Sequence, residues 1–170
     1  APKHINAMTT TRLRGQSQYP FDQNNLALHV GDNHNDVMAN RAALIKQLNL
    51  PNEPEWLEQT HSTRCVMIDE ESCRTADAAI TRDPERVLAI MTADCLPIVL
   101  CNQQGSEIAA IHAGWRGLVN GIIENTVMKL TSAPNELMAW IGPSICQMCY
   151  EVGDEVRSTI VTNYQEAEKA

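Results

Sequence analysis

Leu96-Pro97-Ile98-Val99-Leu100-Cys101-Asn102-Gln103-Gln104-Gly105-Ser106-Glu107-Ile108-Ala109-Ala110-Ile111-His112 has the layout of a β-hairpin. It holds two apolar runs, residues 97–101 and 107–112, on either side of Gln103-Gln104-Gly105. Each run is too short for a helix and lacks polar alternation, as in strands buried on both faces. A glycine-containing gap of this length joins such runs as a hairpin. Outward from the hairpin, residues 65–68, 77–81 and 87–92 read as three earlier strands, and residues 137–141, closed by Gly142-Pro143, as a later one. Between them, residues 115–130 read as one helix with Leu118, Ile122, Thr126 and Leu130 along one side, widened by Ile123 and Val127. A helix capped by Asn33 or Asn35 runs to about Asn49, carries Val37, Leu44 and Leu48 on one face, and is stopped by Pro51 and Pro54. A last helix starts near Gly153, residues 5–11 read as a short strand, and residues 14–25, with Gly15, Pro20 and Asn24, read as a long loop. The pattern predicts a mixed-sheet α/β or α+β domain.

Composition narrows the function. A chain of 170 residues with 44% apolar content fits one globular domain, and at 4% aromatics its core must be aliphatic. A formal net charge of −8 argues against a general nucleic-acid binder, although a local cationic pocket for a small anion remains compatible with it. No apolar run approaches the roughly 18 residues of a membrane span, and the N-terminus lacks a basic-then-apolar leader pattern. The six cysteines (65, 73, 95, 101, 146 and 149) are read as reduced thiols, because a domain of this size does not need disulfide staples. The expectation is a cytoplasmic protein that acts on small polar molecules.

Three residues could make a metal site. His61 ends an extended segment, Cys95 follows the run 87–92, and His112 ends the run 108–111, so each stands where a buried strand is expected to run out into a loop. Strand ends are where such sheets gather ligands. Two imidazoles and a thiolate form a three-ligand set of the catalytic-zinc type, with the fourth position left for water. Spacing alone leaves other readings open: a buried apolar thiol beside two hydrogen-bonded histidines, or a Cys95–His112 nucleophile–base pair without metal. Gly114-Trp115-Arg116-Gly117 sits at a strand-to-helix turn and offers an anion site with Arg116 as its cation, or merely a turn with an ion-paired arginine. Asn25, His29 and Asp32 could orient a substrate, or serve as turn and cap residues. Cys146-Gln147-Met148-Cys149 lacks the second pair of a structural zinc site, and His112 lacks the following Glu of nucleobase deaminases. The two cysteines are read as incidental thiols.

Thr92-Ala93-Asp94-Cys95-Leu96-Pro97 and Ile111-His112-Ala113-Gly114-Trp115-Arg116-Gly117 resemble the two hallmark segments of the YfiH family, also labelled polyphenol oxidase or multicopper laccase-like. Further segments agree in order: Thr10-Thr11-Arg12, the run from Asn25 to Asp32, Asn40-Arg41, Trp56-Leu57-Glu58-Gln59-Thr60-His61, Ala76-Asp77-Ala78, Gly142-Pro143 and Tyr150-Glu151-Val152-Gly153. The resemblance implies an α/β (α+β) sandwich with a mixed sheet, like the catalytic domain of the cytotoxic necrotizing factor. It implies a purine nucleoside phosphorylase acting on adenosine, inosine and methylthioadenosine with phosphate, and an added adenosine deaminase activity. It also implies zinc, or copper, on His61, Cys95 and His112, which would be the catalytic residues as well. Asn25, His29, Arg41 and Arg116 are the candidate substrate-binding residues. The readings set beside this one are a metal-free Cys–His amidase, a copper-dependent polyphenol oxidase and a non-enzymatic zinc-binding module. The oxidase needs several coppers, for which His4, His29 and His34 are too few extra histidines. Two departures stand out. Arg14-Gly15 stands where the family usually has Gly-Gly, and the single domain, residues 1–170, reads as truncated, because family members continue past the position of Val161 and the polar ending from Gln165 does not look like a core element.

Overall fold

The computed structural model describes residues 2–169. Five strands, β1 (Cys65–Met67), β2 (Ala78–Thr81), β3 (Leu96–Asn102), β4 (Ile108–Ala113) and β5 (Leu137–Ile141), form one sheet in the order β1-β2-β4-β3-β5. β1 and β2 are parallel, and the other neighbours are antiparallel. The helices are α1 (His34–Leu48), α2 (Trp115–Val119), α3 (Ile122–Lys129) and α4 (Asp154–Asn163). None is long and apolar enough to cross a membrane. The sheet is mixed and helices pack against it, as the sequence predicts.

The central hairpin forms where expected, with Pro97 opposite His112 and Val99 opposite Ala110. Its turn is closed by Asn102, whose side chain donates to Ser106 Oγ (2.8 Å) and accepts from the Ser106 amide (2.8 Å). Gly105 takes the left-handed φ of 68° that the turn requires. Side chains alternate across the sheet. Ile98, Leu100, Ala109, Ile111 and Ala113 join Cys65, Met67, Ala78 and Ile80 under Ile122 and Leu130. Ala79 and Ala110 are cross-strand partners on the other face, and His112, two residues on from Ala110, shares that face. There Leu57, Val66, Ile68, Ala76 and Ala79 make a second cluster. The pleat therefore turns the Ile111 side chain into the core and the His112 side chain to the opposite face.

Glu107 is buried at the foot of β4. Burial pushes its carboxyl up. Hydrogen bonds from the Ser132 and Thr131 amides (2.8 and 3.1 Å) and the Thr131 hydroxyl (3.0 Å) outweigh this and pull it down to about 2. A group whose pKa is lower in the folded than in the unfolded state stabilises above its unfolded value, and that contribution is lost as pH falls through the folded value. Stability should thus fall between about pH 4.5 and pH 2 by roughly 3 kcal/mol on this account. Urea unfolding of Glu107→Gln across that range should show a flatter acid limb.

The structure corrects three expectations. Residues 115–130 are two helices, because Gly121 at φ 94° breaks the chain after Asn120. Residues 87–92 are not a sheet strand. Part of their backbone finds partners elsewhere: the Glu55 amide donates to Val87 O (2.8 Å), and the Gln59 side chain donates to Met91 O and accepts from Met91 N–H, both at 2.8 Å. A side-chain amide does there what a neighbouring strand would do. Residues 5–11 form no ladder, and residues 6–11 lie exposed.

The long loop of residues 14–25 is held by Asn40 of α1. Its Nδ2 donates to Ser17 Oγ, Gln23 O and Asn25 O, and its Oδ1 accepts from the Gln16 amide at 2.7 Å. At the start of that loop Arg14 has φ 69°, the region that favours glycine. A non-glycine residue pays about 1 kcal/mol there, so Arg14→Gly should raise stability by about that much, measured as a higher urea midpoint.

Candidate metal centre

One carboxylate assembles the site. Asp77, fully buried, stands just before β2 and accepts from the amides of Thr60 (3.2 Å), His61 (3.0 Å) and Ser62 (2.6 Å) and from the Ser62 hydroxyl (2.7 Å). Its Oδ1 also lies 2.7 Å from His112 Nδ1. Burial pushes this carboxyl up, but the His112 and Ser62 hydrogen bonds and the backbone amides hold it well below the usual carboxylate range. An ionised carboxylate only accepts, so the His112 proton sits on Nδ1 and Nε2 keeps its lone pair. The same carboxylate fixes His61, whose φ of 58° is a strained left-handed position for a non-glycine residue.

His61, Cys95 and His112 come together, with their ligand atoms within 4.8 Å of one another. Cys95 Sγ lies 4.0 Å from His61 Nε2, and the two imidazoles meet edge to face at 4.8 Å between centroids. Ligands on a tetrahedral zinc stand roughly 3.3–3.6 Å apart, given the usual bond lengths. The set therefore fits such an ion once the widest pair draws in by about 1.2–1.5 Å. No fourth His, Cys, Asp or Glu joins the group among the described residues. Three ligands with a free position are the catalytic rather than the structural arrangement. Burial, and then the neighbouring Asp94, raise the Cys95 thiol to about 11. A bound divalent cation would displace that proton.

Glycine makes the approach possible. A Cβ on Gly114 would lie 2.7 Å from His61 Cδ2 and 3.0 Å from Cys95 Sγ. The strand-end expectation holds for His112, the penultimate residue of β4, but needs correction for the other two. Cys95 stands at the entrance to β3, and His61 lies in the loop before β1.

The other candidates divide. Asn25 and His29 line a groove of about 2030 Å³ that also exposes the three ligands. Asn25 spends its side chain on Asp32 Oδ2 (2.9 Å) and on Ala27. Arg41 is buried, donates twice to Leu26 O (2.9 and 2.7 Å) and stacks 3.9 Å over the Trp56 ring. Arg116 is exposed, lies 4.4 Å over Trp115 and is outside the groove lining. Asp77 and Asn40 are the residues that site-level reading of the sequence passes over. The available signal for Asp77 was a lone acid at the head of an otherwise apolar strand.

The sequence profile of a family described as multi-copper polyphenol oxidoreductase laccase matches residues 6–170. The chain belongs to this family, that of the YfiH proteins. A YfiH protein from Shigella flexneri named purine nucleoside phosphorylase is 44% identical over 162 residues, covering 94% of this chain and 67% of its own length. A Pseudomonas aeruginosa protein, also named purine nucleoside phosphorylase, is 43% identical over 170 residues, 100% of this chain and 69% of its own. The crystal structure of a Neisseria meningitidis protein superposes with a TM-score of 0.88 at 40% identity, covering 95% of this chain and 66% of that one. The Bacillus licheniformis YfiH structure gives 0.83 at 30% identity, with 94% and 66% covered. The chain thus spans about two thirds of the length of these YfiH relatives. The copper in the family description meets one three-ligand group among the described residues, which does not furnish ligands for several coppers.

Proposed function

We propose that the groove is a purine nucleoside phosphorylase site acting on adenosine, inosine and methylthioadenosine. We further propose that zinc, or copper, on His61, Cys95 and His112 adds adenosine deaminase activity. The observation that carries this reading is the open three-ligand set in the wall of the groove. Relatives named purine nucleoside phosphorylase support the substrate class. A metal held by His61, Cys95 and His112 would supply Lewis-acid chemistry and lower the pKa of a water toward ~7.

The protein's own groups do the rest. Asp77 holds the proton on His112 Nδ1, so Nε2 points its lone pair at the centre. In phosphorolysis a phosphate oxygen bonds to ribose C1′ as the C1′–N9 bond breaks, and the electron pair leaves on the purine. His29, exposed on the groove wall, is placed to give that purine a proton, which is general-acid work. Asn25 and Arg41 act as positioning residues by holding the turn that carries His29. Arg116 is the proposed phosphate contact, reached by swinging its side chain off Trp115. Arg116→Ala should raise the KM for phosphate about tenfold, the effect of losing one charge-assisted hydrogen bond, with zinc affinity unchanged. An unaltered phosphate KM removes Arg116 from this role.

The test incubates zinc-loaded protein with adenosine, with and without phosphate, and separates the products. Adenine and ribose 1-phosphate should form only with phosphate, and inosine and ammonia in both arms. Unchanged adenosine in both arms contradicts the reading.

A further inference from the structure

Beyond the proposed activity, one pair of side chains stands unused. Cys146 and Cys149 bracket a single 3-10 turn, Gln147–Cys149, in the segment that follows β5. Both are free and exposed, and Met148 between them is 93% exposed. The Cys149 amide donates to Cys146 O at 3.0 Å, which closes the turn. In a turn so closed the two Cα atoms lie within about 7 Å of each other, and residues three apart in a 3-10 turn eclipse. A disulfide spans Cα separations of roughly 4.4–6.8 Å. The segment is fixed at its near end, because the Ile145 amide donates to Asp94 O (3.0 Å) and the Gly142 amide to Pro97 O (2.8 Å).

We propose that Cys146 and Cys149 are a redox-active dithiol that small-molecule disulfides oxidise to an intramolecular disulfide beside the groove. Cys146 is the attacking thiol. The Cys149 side chain first, and then the Cys149 and Met148 amides, hydrogen bond to it and hold it below its ordinary value. Its thiolate attacks one sulfur of glutathione disulfide, and one glutathione thiolate leaves. The Cys149 thiolate then attacks the Cys146 sulfur of the mixed disulfide and expels the second glutathione. Two thiols become one disulfide. Two electrons pass to the glutathione disulfide, and the two protons end on two glutathione thiols.

Cys73 is the internal control. It too is exposed, and its thiol is lowered, chiefly by a hydrogen bond from Arg64 (2.9 Å). No second cysteine brackets a turn with it. Reactivity without a ring-closing partner therefore gives an adduct at Cys73, whereas reactivity with one gives a disulfide at the pair. The experiment treats the reduced full chain with glutathione disulfide, alkylates it at timed points and maps every cysteine by mass spectrometry. The expected result is a Cys146–Cys149 cross-link with no retained glutathione, while Cys73 keeps its glutathione adduct. Cys149→Ser should convert Cys146 to a stable glutathione adduct. Cys146→Ser should slow loss of the Cys149 thiol, since the attacking thiolate is gone. A persistent glutathione adduct on Cys146 in the unmutated chain overturns the proposal. So does survival of both thiols while Cys73 reacts. Neither outcome bears on nucleoside turnover, so this inference and the proposed activity fail separately.

Discussion

Asp77→Asn should lower zinc affinity by about 100-fold, the upper end for groups that orient metal-bound histidines. The carboxylate accepts from the Thr60, His61 and Ser62 amides while bonding His112 Nδ1. Asparagine keeps the volume and one acceptor, but its NH₂ group must face donors somewhere. With the carbonyl kept toward Ser62, the NH₂ meets His112 Nδ1, which must then accept. The ring proton moves to Nε2, the atom the metal needs. Asp77→Ala adds the loss of every amide bond to the His61 loop, and removing one partner of a buried charged cluster costs about 3–5 kcal/mol. Zinc titration calorimetry on Asp77→Asn, with urea unfolding on both variants, separates the two effects. An affinity within about threefold of the unmutated chain would remove Asp77 as the organiser of the centre.

Gly114→Ala is the second large effect, and it acts by space rather than charge. Gly114 has φ −65° and ψ 157°, which alanine adopts without strain. The added Cβ would nonetheless stand 2.7 Å from His61 Cδ2 and 3.0 Å from Cys95 Sγ. Gly114 is the N-cap of α2, fixed between β4 and that helix, so the ligands must give way and not the backbone. His61 is exposed and free to turn aside. Zinc binding should fall about 10- to 100-fold, with a stability change within about 1 kcal/mol. Equal zinc affinity in the two proteins would show that the ligands do not converge beneath Gly114.

These effects also mark what was legible in the sequence. The strands of the central hairpin, and those near residues 65, 78 and 137, are short apolar runs bounded by turn residues, and they fall where the pattern places them. The first helix begins at its asparagine cap, where Asn33 Oδ1 accepts from the Asn35 amide. Residues 87–92 have the same apolar content, yet their hydrogen-bond partners are Glu55 and the Gln59 side chain, which no local pattern announces. Gly121 sits inside an otherwise helical stripe, and a single glycine does not reveal that its φ is positive.

The candidate metal ligands were legible in a different way. Spacing left His61, Cys95 and His112 as one reading among several, and the family resemblance singled them out. What neither supplied is the means of convergence. Asp77 joins a loop at residue 61 to a strand at residue 112, a contact across 35 positions that only the folded chain displays. Arg14 shows the reverse case. The departure from Gly-Gly was visible in the sequence, and the structure gives it a physical meaning, a left-handed residue that lacks glycine's freedom.

His61, Cys95 and His112 are proposed to hold one metal ion. Zinc-edge X-ray absorption on protein loaded with a single equivalent tests it most directly. One sulfur scatterer is expected near ~2.3 Å, with nitrogen or oxygen scatterers near ~2.0–2.1 Å, and the sulfur contribution should be gone in Cys95→Ser. A first shell of nitrogen and oxygen alone, or a sulfur signal that survives in Cys95→Ser, would contradict it.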